Sequence, residues 1–144
     1  MTKIDKEYIE NVMRDIKEAL SEIKDVVSLD IKDFITSRRA KFAMRYAIIL
    51  LIESAADIGV TILRQCFDEE AKSYREVFKK LAERGVLTPA TANGMASLAS
   101  LRNMIVHRYW EIDDERIYQE AKGNGINTIR NFIKEVNDYV SKIS

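Results

Sequence analysis

From Asp5 to Val27 the apolar residues Tyr8, Val12, Ile16, Leu20, Ile23 and Val27 recur every three or four positions, with Lys, Arg, Glu and Asp between them. That period predicts a helix with one apolar face. Ser28-Leu29-Asp30 interrupts the pattern and leaves room for a short turn over 31–35, before a longer helix from about Ser37 to Cys66. The longer helix starts basic, at Arg38, Arg39, Lys41 and Arg45. It is then apolar almost all round from Tyr46 to Leu63, broken only by Glu53, Ser54, Asp57 and Thr61. A helix apolar on every side is buried on every side, so its expected place is inside its own bundle and against a second subunit.

Ser73-Tyr74-Arg75-Glu76 is a capping box opening a short helix that ends near Gly85. Thr88-Pro89 supplies the next N-cap, with proline at the first helical position, for a helix that reaches His107 or Tyr109. Asp113-Asp114-Glu115 then places acidic charge where it suits the start of a last helix. Gly123-Asn124-Gly125 would ordinarily break that helix. Yet Ile117, Ala121, Gly125, Ile129, Phe132, Val136 and Val140 stay in one helical register across it, which predicts a single helix, kinked, to about Val140. With no alternating strand pattern and no repeat, the expected architecture is an all-α, up-and-down bundle of four to five helices. Residues 1–144 are long enough for one such domain and too short for two.

Composition agrees with a helical globular chain: 47% hydrophobic, 32% charged, five glycines and one proline. Lys plus Arg equals Asp plus Glu, 23 each, which excludes a bulk attraction to nucleic acid or to an acidic membrane. A polyanion site must be a local patch. The single cysteine, Cys66, excludes an intrachain disulfide and reads as a small buried hydrophobe; with one histidine it builds no Zn site of the usual kind. Glu53 and Asp57 are fewer carboxylates than a Mg²⁺ site on helices uses. No metal and no cofactor are therefore expected. The start MTKIDKEYIE lacks the zones of a signal peptide, and Glu53 and Asp57 interrupt the most apolar stretch short of membrane-spanning length. The expectation is a cytoplasmic protein with no membrane contact.

The stretch LRNMIVHRYW, residues 101–110, holds the only histidine. Arg102 is the only charged residue between Met95 and Val106, and it lies on the row Met95, Leu98, Arg102, Ile105, Tyr109, which has core spacing. An unpaired buried charge costs roughly 3–5 kcal/mol. Arg102 thus needs a carboxylate or an anion, and Glu53 and Asp57, one turn apart, are the internal counterparts. Two readings stay open: a structural ion pair beside a core histidine, or an active-site cluster. Asn103 and His107 share a helix face. Arg102 and His107 stand roughly 140° and about 7.5 Å apart, on two sides of a cleft. Imidazole accepts and delivers protons near neutral pH, and a guanidinium holds phosphate oxygens bidentately. Metal-free cleavage of RNA asks for a base, an acid and a cation; one chain has one imidazole and a twofold dimer has two. Arg38, Arg39, Lys41 and Arg45 are candidate contacts to an RNA backbone, with a solvated basic face as the alternative.

Arg102-Asn103, His107 and Tyr109 together resemble the R-x4-H-x-Y motif of HEPN-domain toxins of the HepT type. FKKLAERGVLTPATANGMASLASLRNMIVHRYWEID, from Phe78 to Asp113, is similar to that family's motif helix and the short helix before it. DFITSRRAKFAMRYAIILLIESAADIG, from Asp33 to Gly59, is similar to its long second helix, so the resemblance covers most of the chain. The resemblance implies a HEPN-like bundle and a homodimer whose interface joins two motifs. It also implies a toxin with metal-independent endoribonuclease activity, and an antitoxin of the minimal nucleotidyltransferase (MNT) type that silences it by moving AMP from ATP to the motif tyrosine. Carried onto this chain, Arg102 and His107 are catalytic, Asn103 orients the site and Tyr109 accepts AMP. A non-catalytic helical module that binds a nucleotidyltransferase or its substrate is the alternative.

Overall fold

The computed structural model describes residues 4–143, with the exception of the side chain of Tyr109. The order of elements is α1 (Lys6–Val27), α2 (Ile31–Ile35), α3 (Arg38–Phe67), α4 (Tyr74–Glu83), α5 (Pro89–His107), a 3-10 turn (Tyr109–Glu111), α6 (Asp114–Glu120), a π turn (Ala121–Gly125) and α7 (Ile126–Ile143). The described residues contain no strand. Helices α1 to α6 each start on an Asp, Ser or Thr whose side-chain oxygen accepts the N–H three residues on: Asp5, Asp30, Ser37, Ser73, Thr88 and Asp113. These caps satisfy donors that the helix itself leaves open, so the starts are written in local sequence.

Helix α3 is the axis of the bundle. The first helix lies along it, α4 and α5 form a hairpin with both arms against it, and α7 closes on α5 and α1. By length and composition α3 would cross a membrane, Glu53 and Asp57 notwithstanding, but 61% of its most apolar window is buried inside the bundle. It is therefore the core helix. It is not covered on every side, because Phe42 and Tyr46 remain 54% and 65% exposed.

Three expectations are corrected in detail. The buried row of α1 is Ile9, Met13, Ile16, Ala19, Ile23 and Val26, while Tyr8, Val12, Leu20 and Val27 flank it. Two apolar rows overlap there, and packing on α3 selects the one rotated by about one residue. Cys66 is half-buried rather than enclosed; it sits beside Tyr139, and burial pushes both groups up, Tyr139 to about 12. The expected single last helix is divided into α6 and α7, with the glycines at 123 and 125 in a π turn between them. The register survives, since Ile117, Ala121, Gly125, Ile129, Phe132, Val136 and Val140 are all buried.

The placement of α4 depends on a close approach at Gly59. A Cβ there would stand 2.4 Å from Val77 Cγ1 and 3.1 Å from Leu81 Cδ1. Val77 is β-branched and buried, with little freedom to turn away. Gly59→Ala is expected to destabilise the fold by about 1–3 kcal/mol through overpacking, measured as a lower urea midpoint.

Candidate active site

Arg102 sits on the buried row of α5, between Leu98 and Ile105, and its side chain is only 13% exposed. Partners come to it from three directions. Nη2 donates to Glu53 Oε2 on α3 at 3.0 Å, and Nη1 donates to Asn103 Oδ1 at 3.3 Å. The ring of Tyr74, at the start of α4, faces the guanidinium with its centroid 4.8 Å from Cζ. Nε–H is buried and has no partner among the described residues. A buried donor left open costs about 1–3 kcal/mol, so the cation is held firmly yet one acceptor short.

Of the two carboxylates expected to balance Arg102, Glu53 makes the pair and is itself 49% exposed. Asp57 makes no ion pair among the described residues. Its side chain reaches solvent, but partial burial, and then the negative charge of Glu53, push its carboxyl above the ordinary value of 3.8.

His107 is the last residue of α5 and is exposed, and its imidazole makes no hydrogen bond to another described residue. Two cavities flank it. One of about 400 Å³ lies between α3, α4 and α5, with Asp57, Tyr74, Arg102, Asn103 and His107 on its walls. The other, of about 500 Å³, lies toward α6 and is bordered by Ser100, Asn103, Met104, His107, Arg108 and Arg116. Asn103 and His107 belong to both. Helix spacing sets Arg102 and His107 on two sides of α5, but Arg102 bends back to Asn103, so all three border the first cavity within one chain. Tyr109 begins the 3-10 turn immediately beyond; its side chain lies outside the described residues.

The four basic positions at the start of α3 divide. Arg45 donates through Nε and Nη2 to both carboxylate oxygens of Asp114, at 2.9 and 2.5 Å, and lies over the Phe42 ring. Its charge is committed to tying α6 to α3. Arg38 and Arg39 are exposed, and Lys41 is half-buried. Two contributors to the site escape sequence reading, Tyr74 and Asp114. The capping box places Tyr74 at the first position of α4, and the acidic run places Asp114 at the first position of α6, but the partner of each lies on another helix. Among the described residues no three His, Cys, Asp or Glu side chains gather into a group that would hold a metal ion.

Residues 16–136 match the family described as ribonuclease HepT-like. The tRNA nuclease HepT of Aphanizomenon flos-aquae (strain 2012/KM1/D3) is 25% identical over 140 residues, 97% of this chain and 95% of that protein. A protein of Archaeoglobus fulgidus that carries an RNase assignment is 30% identical over 139 residues, 94% of this chain and 95% of its own length. Among solved structures, the cytosolic protein YutE of Bacillus subtilis, of unknown function, superposes with a TM-score of 0.84 at 21% identity, covering 99% of this chain and 94% of that one. The tri-AMPylated HEPN toxin of Shewanella oneidensis, in complex with an MNT antitoxin, superposes with a TM-score of 0.82 at 22% identity, covering 91% and 97%. The two structures share the fold. With 121 consecutive residues of 144 matched, from Ile16 through the R-x4-H segment to Val136, the chain belongs to the ribonuclease HepT-like family.

Proposed function

We propose that this chain is the toxin of a toxin–antitoxin pair, a metal-independent endoribonuclease that acts in the cytoplasm as a homodimer, with residues 1–144 forming one HEPN-like domain. The observation that carries the reading is Arg102, held one acceptor short at the wall of the cavity that Asn103 and exposed His107 also line. A phosphate entering that cavity meets a fixed cation and an imidazole free to move a proton. His107 takes the 2′-hydroxyl proton, the 2′-oxygen attacks the adjacent phosphorus, and the 5′-oxygen leaves with a proton from a second acid. Arg102 balances the charge that builds on the phosphorane, and Asn103 keeps the guanidinium turned toward it.

One chain supplies one imidazole, so the second acid is the His107 of a second copy. The uncovered apolar residues support an interface there. Phe42, Tyr46 and half-buried Ile49 follow one another on α3 toward Glu53, and Val106 and Trp110 bracket the end of the motif. The relatives support the activity and its control: one is a tRNA nuclease, and another is an AMPylated toxin bound to its antitoxin. In this chain an MNT antitoxin would transfer AMP from ATP to Tyr109. The added phosphate and adenine would then occupy the neighbourhood of His107 and exclude RNA phosphate. Tyr118, the nearest other tyrosine in sequence, is buried with its hydroxyl donating to the Leu29 carbonyl at 2.7 Å, which leaves it no role as acceptor.

Purified protein is expected to cut RNA in excess chelator, and His107→Ala to lower the rate by about 10²–10⁴-fold. Cleavage that survives the substitution, or growth unaffected by expression of the chain alone, would favour a non-catalytic module that binds a nucleotidyltransferase. Incubation with the cognate antitoxin and ATP should add the mass of AMP to wild type and none to Tyr109→Phe, as read by intact-mass spectrometry. Asp57 yields a stability test. Its folded pKa lies above the unfolded one, so the ionised carboxylate opposes folding at neutral pH, an effect that vanishes below the ordinary value of 3.8. Asp57→Asn should therefore raise the urea midpoint near neutral pH and leave it unchanged in acid, whatever it does to cleavage.

A further inference from the structure

The edge of α4 beside the candidate site carries three cations in a row. Lys72 stands just ahead of the helix, and Arg75 and Lys79 follow at intervals of three and four residues, all exposed. None of the three makes an ion pair among the described residues, whereas Lys80 and Arg84 on the same hairpin are bound to Glu76 and Glu69. In a chain with 23 basic and 23 acidic residues, an unneutralised run of this kind is a local positive field.

Its position gives it direction. Lys72 lines the same cavity of about 400 Å³ as Arg102, Asn103 and His107. Arg75 and Lys79 line a different one, of about 510 Å³, whose α5 side is made by Ala92, Asn93 and Ala96. Because α4 and α5 form a hairpin, the first cavity lies at the start of α4 and the end of α5, and the second lies toward the hairpin's closed end. The two share no lining residue: on α4 the first is bordered by Tyr74 and Val77 and the second by Arg75 and Lys79, on different faces of the helix, so the exposed row of cations and not a shared cavity links them. Small side chains on α5 leave the second cavity open, and Glu83, the only carboxylate lining it, stands at its far end.

We propose that Lys72, Arg75 and Lys79 form a track for the sugar-phosphate backbone of the RNA strand, leading it along the exposed edge of α4 from the phosphate held at Arg102. The proposal rests on the ribonuclease reading above. Arg75 and Lys79 stand about one turn apart on α4, about 6 Å of rise at about 1.5 Å per residue, and Lys72 lies just ahead of its start, so the three can meet successive phosphates of one strand. Such contacts position a strand without reading its bases. The track thus supplies affinity and polarity, and leaves the choice of cleavage site to the pocket at His107.

The test compares the full-length chain with its triple variant Lys72→Gln/Arg75→Gln/Lys79→Gln. A control, Lys17→Gln/Lys24→Gln/Lys32→Gln, removes the same charge from exposed positions on α1 and α2. Each protein is assayed on a long single-stranded RNA and on a dinucleotide that holds only the scissile phosphate. The track variant should raise KM for the long RNA on the order of ten-fold, well beyond any rise in KM for the dinucleotide. The slope of log affinity against log salt should fall by about 2, from roughly 0.7 per lost contact. Wild type that cuts RNA, with the track variant indistinguishable from the control in KM and salt slope, overturns the track and leaves the ribonuclease reading standing. Wild type that cuts no RNA overturns that reading and the track with it.

Discussion

Arg102 is a cation on a row that the fold buries. Met95, Leu98 and Ile105 must face the interior for α5 to pack, and Arg102 lies among them on the same side. A helix cannot bury three members of a row and expose the fourth, so α5 docks only where the bundle offers this guanidinium a partner. Glu53 is that partner, and it stands on the central helix. A shift of α5 along α3 by one turn would part the two and leave a desolvated charge at a cost of roughly 3–5 kcal/mol. The ion pair thus disfavours registers that apolar packing alone would tolerate.

The surroundings of Arg102 extend that constraint to the rest of the bundle. Tyr74 reaches the guanidinium because α4 comes close to α3, and α4 comes close because residue 59 has no side chain to hold Val77 away. On the other side, Arg45 and Asp114 fasten the start of α6 to α3, which bounds the span from Arg108 to Asp113 that contains Tyr109. A glycine, an aromatic ring and a second ion pair, on three different helices, hold one short segment in place. None of them belongs to the R-x4-H pattern.

Local signals set the starts of the helices and most of their ends. Capping side chains act over three residues, so Asp5, Ser37, Ser73 and Thr88 announce their helices without reference to anything distant. Arg102 was legible for a related reason: a lone charge in an apolar row states its own problem. The carboxylate that answers it was narrowed to Glu53 or Asp57, because both lie on the apolar helix, and only packing chooses between them. Tyr74, Asp114 and the basic edge of α4 were not legible as parts of one site, since their meaning depends on which helices become neighbours. The apolar row of α1 was misplaced by one residue for the same reason: two overlapping rows are equivalent until α3 selects one.

The Arg45–Asp114 and Arg102–Glu53 ion pairs differ in how firmly they hold their arginine. Arg45 and Asp114 are 24% and 11% exposed and share two hydrogen bonds, so neither can be released without stranding a desolvated charge. Arg102 is as buried as Asp114, but Glu53 is 49% exposed and holds it by a single bond. Under the proposed function, an approaching phosphate would let the Glu53 carboxylate swing into water and recover its hydration, while Arg102 keeps its orientation through Asn103 and the Tyr74 ring. An incoming phosphodiester brings two non-bridging oxygens that a guanidinium can meet bidentately, and the same single negative charge as the carboxylate. Carboxylate for phosphate is then nearly an even exchange for the arginine, and in the proposed reaction the added charge of the phosphorane would tip it further. An arginine whose partner were as deeply buried as Asp114 would be locked, and one with no partner at all would not stay folded into the row.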